Sequence, residues 1–295
     1  MPDQSPLTAE FEQHRRRLFA IAYRMLGSRA DAEDMVQDAY LRWHATERAG
    51  VRSPEAWLVT VVSRLCIDRL RTAAVERAAY TGPWLPEPLI AHSPPPPDQH
   101  AELASSLSMA FLVLLERLGA EERAAFLLHD IFDCGYDDIA GILDKEESAC
   151  RQLVHRARER VRAGRPRFEA SAEARTRLIA QFTAAIAAGD EQQLLSLFTP
   201  DATMTSDGGG KVAAALNVVR GAEHVARFFI GVARKARGQI SRVVPTIING
   251  EPGLVAIVAG RPYTFSFDIA DDRIRAVFLV VNPDKLKGLQ ETPPC

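Results

Sequence analysis

Apolar and polar positions in the first half of the chain recur with a helical period. In DAEDMVQDAYLRW, Asp31 to Trp43, the residues Met35, Val36, Ala39, Tyr40 and Trp43 fall on one side of a helix, at the i, i+4, i+7 spacing of a buried stripe. Glu33, Asp34, Gln37, Asp38 and Leu41 fall on the other side. A solvated helix usually mixes lysine with glutamate for local pairing. This face reads as a group of carboxylates with no cation among them, so a basic partner would supply the countercharge. The plainer alternative is an ordinary amphipathic helix with a wet face. Gly27-Ser28 separates this helix from the one before it. Ser53-Pro54-Glu55 opens a third, as an N-cap followed by proline at the first helical position. That third helix carries Trp57, Leu58, Val61, Val62, Leu65 and Leu70 inward. Ser63, Arg64, Asp68, Arg71 and Arg77 are its candidate surface residues. A basic helix beside the short loop 49–53 suits capture of single-stranded nucleic acid and of an extruded base.

The helical pattern stops at Tyr80. In YTGPWLPEPLIAHSPPPPD prolines recur every few residues and then run together from Pro94 to Pro97, which excludes helix and central strand and predicts a stiff, extended linker. Its segment Trp84-Leu85-Pro86-Glu87-Pro88-Leu89 is too apolar for a bare linker and would prefer a docking surface.

Helical periodicity returns from about Ala101 to Ala163 with helix-turn-helix texture. A first helix ends near Phe132. The second, Tyr136 to Leu143, turns Ile139, Ala140 and Leu143 inward. The turn is Asp144-Lys145-Glu146, and a third helix runs from Glu147 to Arg162. Its inner stripe is Cys150, Leu153, Val154, Ala157 and Val161. Its outer face shows Ser148, Arg151, Gln152, His155, Arg158, Glu159 and Arg162. Arginine grips guanine bidentately, glutamine grips adenine, and serine or histidine bonds bases or phosphate. Arg156, Arg158, Arg160, Arg162, Arg165 and Arg167 suit phosphate contact. Complementing the helix dipole would account for Arg160 and Arg162, but not for Arg151, Gln152 and His155 two turns earlier.

From about Ser171 the texture changes to α+β. Helices are predicted over 172–187, 191–198 and 222–235. Strands are predicted over 202–205, 212–219, 240–249, 254–259, 263–268 and 274–281, forming a long antiparallel meander.

Composition narrows the function classes. The net charge of −2 does not fit DNA binding by bulk electrostatics; the bases are concentrated on particular helices, which suits local contact or help from a partner. No apolar run approaches a membrane span, so a cytoplasmic protein without membrane contact is expected. Cys66, Cys134, Cys150 and Cys295 lie far apart with no CxxC pair and read as reduced thiols, not a metal site. No cofactor is expected.

The order of parts is acidic helix, basic helix, proline-rich linker and helix-turn-helix. DAEDMVQDAYLRW, SPEAWLVTVVSRLCIDRLR and GYDDIAGILDKEESACRQLVHRAR together resemble RNA polymerase sigma factors of the extracytoplasmic-function type, from about Leu7 to Arg162. The resemblance implies that Glu33, Asp34, Gln37 and Asp38 face the clamp of the largest subunit of core RNA polymerase. It places Arg64, Asp68 and Arg71 at the −10 promoter element. Ser148, Arg151, Gln152, His155 and Arg156 would sit at the −35 element. Arg64 stands where the family often has asparagine, which leaves the −10 preference open. The implied division is 1–79 for polymerase and −10 binding, 80–100 as linker, 101–167 for −35 binding, and 168–295 as a regulatory domain. The fold class is then two all-α sigma domains and an α+β domain.

Residues 171–287 resemble the SnoaL-like branch of the nuclear-transport-factor-2 fold, a cone-shaped α+β domain, through LFTPDATMTSDGGGK, GAEHVARFF and the strands that follow. Such folds host many activities, and a small-molecule ligand in the cone stays an open possibility. Asp201, Asp207, His224 and Asp268 are the acid–base candidates, but Asp201 and Asp207 also suit turns, and no catalytic residue is assigned. The run Asp207-Gly208-Gly209-Gly210-Lys211 permits positive φ and close approach of another segment; a flexible hairpin tip is the plainer alternative. With Trp84–Leu89 and Asn282-Pro283-Asp284-Lys285-Leu286 it matches a subgroup of the family that carries a fused SnoaL-like extension. The resemblance implies that the linker docks on these two motifs, so that it fixes how far apart the two promoter-reading domains lie, and that the extension modulates the sigma core. Two other readings remain: a repressor or activator using the helix-turn-helix alone, and a cyclase- or hydrolase-like enzyme under DNA-binding control.

Overall fold

A computed structural model of the chain describes residues 6–47, 50–91, 107–164 and 170–290. Ala49, Pro94–Pro97, Arg165, Arg167 and Cys295 lie outside the described residues. The chain divides into two compact units, Met1–Ala78 with Leu114–Gly164, and Ala79–Val113 with Arg165–Cys295.

The first unit is all helix. Helices α1 (Pro6–Leu26), α2 (Arg29–Ala45) and α3 (Pro54–Ala78) pack on one another. Gly27 ends α1 at φ +65°, and Ser28 caps α2 by accepting from the Asp31 N–H at 3.2 Å. Ser53 does the same for α3, accepting from the Ala56 N–H at 3.3 Å. Helix α2 buries Ala32, Val36, Ala39 and Trp43, with Met35 and Tyr40 half-buried. Helix α3 buries Leu58, Val59, Val62, Ser63, Cys66, Ile67 and Leu70. Ser63, expected at the surface, is thus in the core, and Arg77, also expected there, is half-buried. Arg77 donates to the Leu26 carbonyl at 2.8 Å and pairs with Glu116.

The second half of the same unit holds α5 (Ala120–Asp130), α6 (Tyr136–Leu143) and α7 (Glu147–Gly164); α4 (Met109–Leu115) precedes them and runs across the division of units. The inner stripe of α7 is Cys150, Leu153, Val154, Ala157 and Val161, as its periodicity requires. Helix α6 buries Ile139 and Ile142, while Ala140 and Leu143 are only half-buried, so the expected phase of this short helix is corrected by one residue. Arg123 on α5, 2% exposed, donates to the Met25 carbonyl at 2.6 Å and to Glu116 at 2.7 Å, which ties α5 to α1.

The second unit is α+β. Its sheet has the order β1-β4-β5-β6-β7-β2-β3, with strands β1 (Ile90–Ala91), β2 (Phe198–Asp207), β3 (Val219–Arg220), β4 (Ile240–Ile248), β5 (Glu251–Val258), β6 (Arg261–Ala270) and β7 (Arg273–Val280). Strands β4 to β7 form the expected meander, but β2 pairs with β7 in parallel, so the sheet is mixed. The predicted strand over 212–219 is corrected to a bend region that becomes β3 only at Val219. Helices α8 (Ala172–Ala188), α9 (Glu191–Ser196) and α10 (Ala222–Lys235) cover one face of the sheet, around Phe182, Phe198, Phe229, Phe267 and Val277. A bulge in β7 at Arg275, where Asp268 pairs with Ala276 but Ile269 with Ile274, brings Ile274 onto that face with Val277. The other face presents Ala276, Phe278 and Val280. Leu85 of the linker, Met109 of α4 and Leu286 cover it.

Candidate functional site

Three surfaces carry the candidate residues, and each follows from how its helix is buried. On α2, burial of Ala32, Val36, Ala39 and Trp43 leaves Glu33, Asp34, Gln37, Asp38 and Leu41 exposed together. Leu41 is 56% exposed, a large apolar side chain left beside carboxylates. The expectation that no cation serves this face is corrected at one position: Arg29, one turn earlier, holds Glu33 at 2.8 Å. Asp34 and Asp38 show no ion pair among the described residues.

On α3, Arg64, Asp68 and Arg71 are exposed at successive turns. Arg64 is nevertheless engaged. Its Nε donates to the Ile142 carbonyl at 3.0 Å and its NH2 to the Gly141 carbonyl at 2.7 Å. These carbonyls belong to the last turn of α6, where a helix leaves its acceptors without internal partners. Arg71 holds Asp68 at 3.1 Å and Glu121 of α5 at 3.1 Å. Guanidinium groups suited to nucleic acid are therefore spent on packing the two halves of this unit together.

On α7, Ser148, Arg151, Gln152, His155 and Arg156 are exposed on one side. Arg151 is held by Glu147 at 2.7 Å and lies 5.0 Å over the Tyr136 ring. Arg156 and Arg160 both reach Glu122, at 3.2 and 2.5 Å. Arg158 is committed further: it grips both oxygens of Asp130 at 2.7 Å, which makes it a strut between α7 and α5.

The fourth cluster joins the three motifs of the second unit. Asp207 ends β2 and is 0% exposed. Its Oδ1 accepts from the Tyr80 hydroxyl at 2.6 Å, and its Oδ2 from the Leu85 N–H at 2.9 Å and from Lys285 Nζ at 2.7 Å. Lys285 also donates to the Leu85 carbonyl and lies 4.0 Å over the Trp84 ring. Burial and the bond to Asp207 push the Tyr80 phenol well above its ordinary pKa, so it is a donor at any physiological pH. Asn282 donates to the Tyr80 oxygen at 2.8 Å and caps the turn Pro283–Lys285 by accepting from the Asp284 N–H at 3.1 Å. Lys211 pairs with Asp284 and holds that carboxyl below its usual range. Leu85 is 1% exposed and Leu286 2%. Pro86 and Pro88 are buried, and Glu87 is half-buried. Leu89 bonds to Asn249 of the β4–β5 turn.

The glycines explain themselves here. Gly209 has φ +59°, and a Cβ on it would lie 2.3 Å from Asn282 Nδ2 and 3.0 Å from the Tyr80 oxygen. Gly210 has φ +70° and faces Thr81, while a Cβ on Gly208 would meet the Val212 carbonyl. Gly209→Ala is expected to destabilise this unit by about 2 kcal/mol or more, from left-handed strain plus displacement of Asn282, as read by urea denaturation.

The acid–base candidates are dispersed. Asp207 is committed as above. Asp268 is gripped by Arg275 at 2.5 Å, and Asp201 and His224 are exposed. Sequence reasoning missed Tyr80 and Asn249. Asn249-Gly250 is a hairpin signal, but nothing local shows what its amide meets.

Residues 11–75 match the family described as Sigma-70 region 2, and residues 108–161 that described as Sigma-70, region 4. Along almost its whole length the chain is similar to the ECF RNA polymerase sigma factor SigJ of Mycobacterium tuberculosis, with 38% identity over 95% of this chain and 93% of the relative. It is 32% identical to the probable ECF RNA polymerase sigma factor SigI of the same species, over 98% of each chain. The crystal structure of the M. tuberculosis extracytoplasmic-function sigma factor SigJ superposes with a TM-score of 0.76 at 35% identity, covering 97% of this chain and 99% of that one.

Proposed function

Because the chain belongs to the extracytoplasmic-function RNA polymerase sigma factors, and so serves promoter recognition and transcription initiation with core RNA polymerase, we propose how its surfaces divide that work. Glu33, Asp34, Gln37 and Asp38 meet a basic surface on the clamp of the largest subunit. Arg64, Asp68 and Arg71 contact the −10 element, and Ser148, Arg151, Gln152, His155 and Arg156 contact the −35 element. Residues 1–79 and 101–167 are then the two working domains. Residues 168–295, with the linker 80–100, form a regulatory part without catalysis, acting in the cytoplasm.

The observation that carries this reading is α7. Its burial of Cys150, Leu153, Val154, Ala157 and Val161 leaves a coherent polar side with the residue types that read base edges. Near-neutral net charge fits a chain that borrows affinity from its partner, since tethering to polymerase raises the effective concentration of each reader at its element. The bonds of Arg64 to the end of α6 support one further point: contact with the −10 element exchanges the Gly141 and Ile142 carbonyls for DNA acceptors, so promoter binding opens the first unit.

Arg151→Ala is expected to cost roughly 10- to 100-fold in promoter affinity and to relax the preference at one −35 position, as expected for loss of a bidentate base contact. Arg156→Ala is expected to weaken all sequences alike. Binding of the polymerase complex to a set of singly substituted −35 elements checks this. A uniform loss for both variants would remove Arg151 from base reading.

A further inference from the structure

The described residues on either side of 92–106 return to one side chain. Asn249 opens the turn between β4 and β5 with φ +53°, followed by Gly250 at φ +77°. Paired left-handed residues are what a tight hairpin demands, and Asn-Gly is the preferred sequence there. That demand explains the residue type but not its surroundings, because Asn249 is 1% exposed. Its backbone N–H donates to the Leu89 carbonyl at 2.7 Å, and its Oδ1 accepts from the Leu89 N–H at 2.9 Å. Its Nδ2 donates to the Leu107 carbonyl at 3.1 Å. The residues just before it, Ile247 and Ile248, pair with Ala91 and Ile90, so β1 is held at the same corner. Directly after Leu107, Ser108 caps the start of α4 by accepting from the Phe111 N–H at 3.2 Å, and Met109 is buried against the sheet.

We propose that Asn249 is a positioning residue for promoter recognition: by clamping the chain at Leu89 and at Leu107, it fixes the span between the −10 and −35 readers. The proposal rests on the assignment of α3 and α7 as those readers. An unclamped connection would behave as a polymer whose reach varies with its length and conformation. With both ends on one buried amide, that reach no longer depends on residues 92–106. The amide is needed whole. An aspartate would keep the acceptor for Leu89 but lose the donor to Leu107, and a glycine would keep the left-handed turn and the backbone bond to the Leu89 carbonyl but lose both side-chain bonds.

The test is run-off transcription by core polymerase with the full chain, on promoters that differ only in the number of base pairs between the two elements. Thermal melting of each variant is followed in parallel. The unmodified chain is expected to show one sharp optimum. Asn249→Gly is expected to lower output at that optimum roughly tenfold, the loss of buried hydrogen bonds, and to flatten the spacing profile. Asn249→Asp is expected to lose at least as much, because a buried carboxylate oxygen then faces the Leu107 carbonyl with no donor between them. An unchanged profile in both folded variants overturns the clamp. Loss of the melting transition in both also overturns it, since Asn249 would then serve the fold alone. No transcript from the unmodified chain at any spacing would overturn the reader assignment itself.

Discussion

Asp207→Ala is expected to lower the melting temperature of the second unit by about 10 °C, from the loss of about 3–5 kcal/mol that accompanies breaking a buried ion pair. The carboxylate is fully buried and holds the Tyr80 hydroxyl, the Leu85 N–H and the Lys285 ammonium at once. Its removal leaves the Lys285 ammonium, whose side chain is 12% exposed, without its carboxylate, and takes the acceptor from the Tyr80 hydroxyl and the Leu85 N–H. Leu85, worth about 2 kcal/mol when buried, then keeps the Lys285 bond to its carbonyl but loses the one from its N–H. Asp207→Asn keeps an acceptor but still leaves the lysine charge uncompensated, so it is expected to lose nearly as much. The double change Asp207→Asn with Lys285→Met removes both charges together and is expected to recover a large part of the loss, because desolvating two ions offsets much of their attraction. Thermal melts of the full chain, with protease cleavage between Tyr80 and Ile90 read alongside, check this series. A melt and a cleavage pattern unchanged by Asp207→Ala would mean that the linker is seated by apolar burial alone.

What the sequence disclosed depended on the range of the interaction. The α7 stripe was legible in full, because an eighteen-residue amphipathic helix repeats its period often enough to fix its phase. The eight residues of α6 do not, and their pattern points Leu143 inward where Ile142 is buried. Ser63 has the polarity of a surface residue, but its position puts it on the same buried stripe as Val62, Cys66 and Ile67. The apolar run 212–219 looks like a strand, but its backbone folds over Gly208, with the Val212 carbonyl close against that residue. Parallel pairing of β2 with β7 joins distant segments and leaves no local mark. The same holds for the candidate sites. Exposure of Glu33, Asp34, Gln37 and Asp38 follows from periodicity alone, whereas the engagement of Arg64 by α6, and of Leu89 and Leu107 by Asn249, exists only once the chain has folded.

Reversing charge on α2 is the second large effect. Asp34 and Asp38 are exposed one turn apart, opposite the buried Val36 and Ala39, so Asp34→Arg with Asp38→Arg leaves the helix packing untouched. Surface changes of this kind stay within about 0.5 kcal/mol in stability. Against a basic partner the same change replaces attraction by repulsion, at several kcal/mol, so affinity for core polymerase is expected to fall roughly 100-fold or more. Leu41→Ala, on the same face, is expected to weaken binding by a smaller factor through lost apolar burial, and with less dependence on salt. The neighbouring Glu33 is already balanced by Arg29, and its reversal is expected to matter less than that of Asp34.

The most direct measurement is therefore a titration of the labelled full chain with core RNA polymerase, without promoter DNA, comparing the unmodified protein with the Asp34→Arg, Asp38→Arg variant at matched salt. Saturable binding that the double reversal weakens by two orders of magnitude, with an unchanged thermal melt, is the predicted result. Equal affinity of the two proteins for the polymerase would contradict the assignment of this helix face.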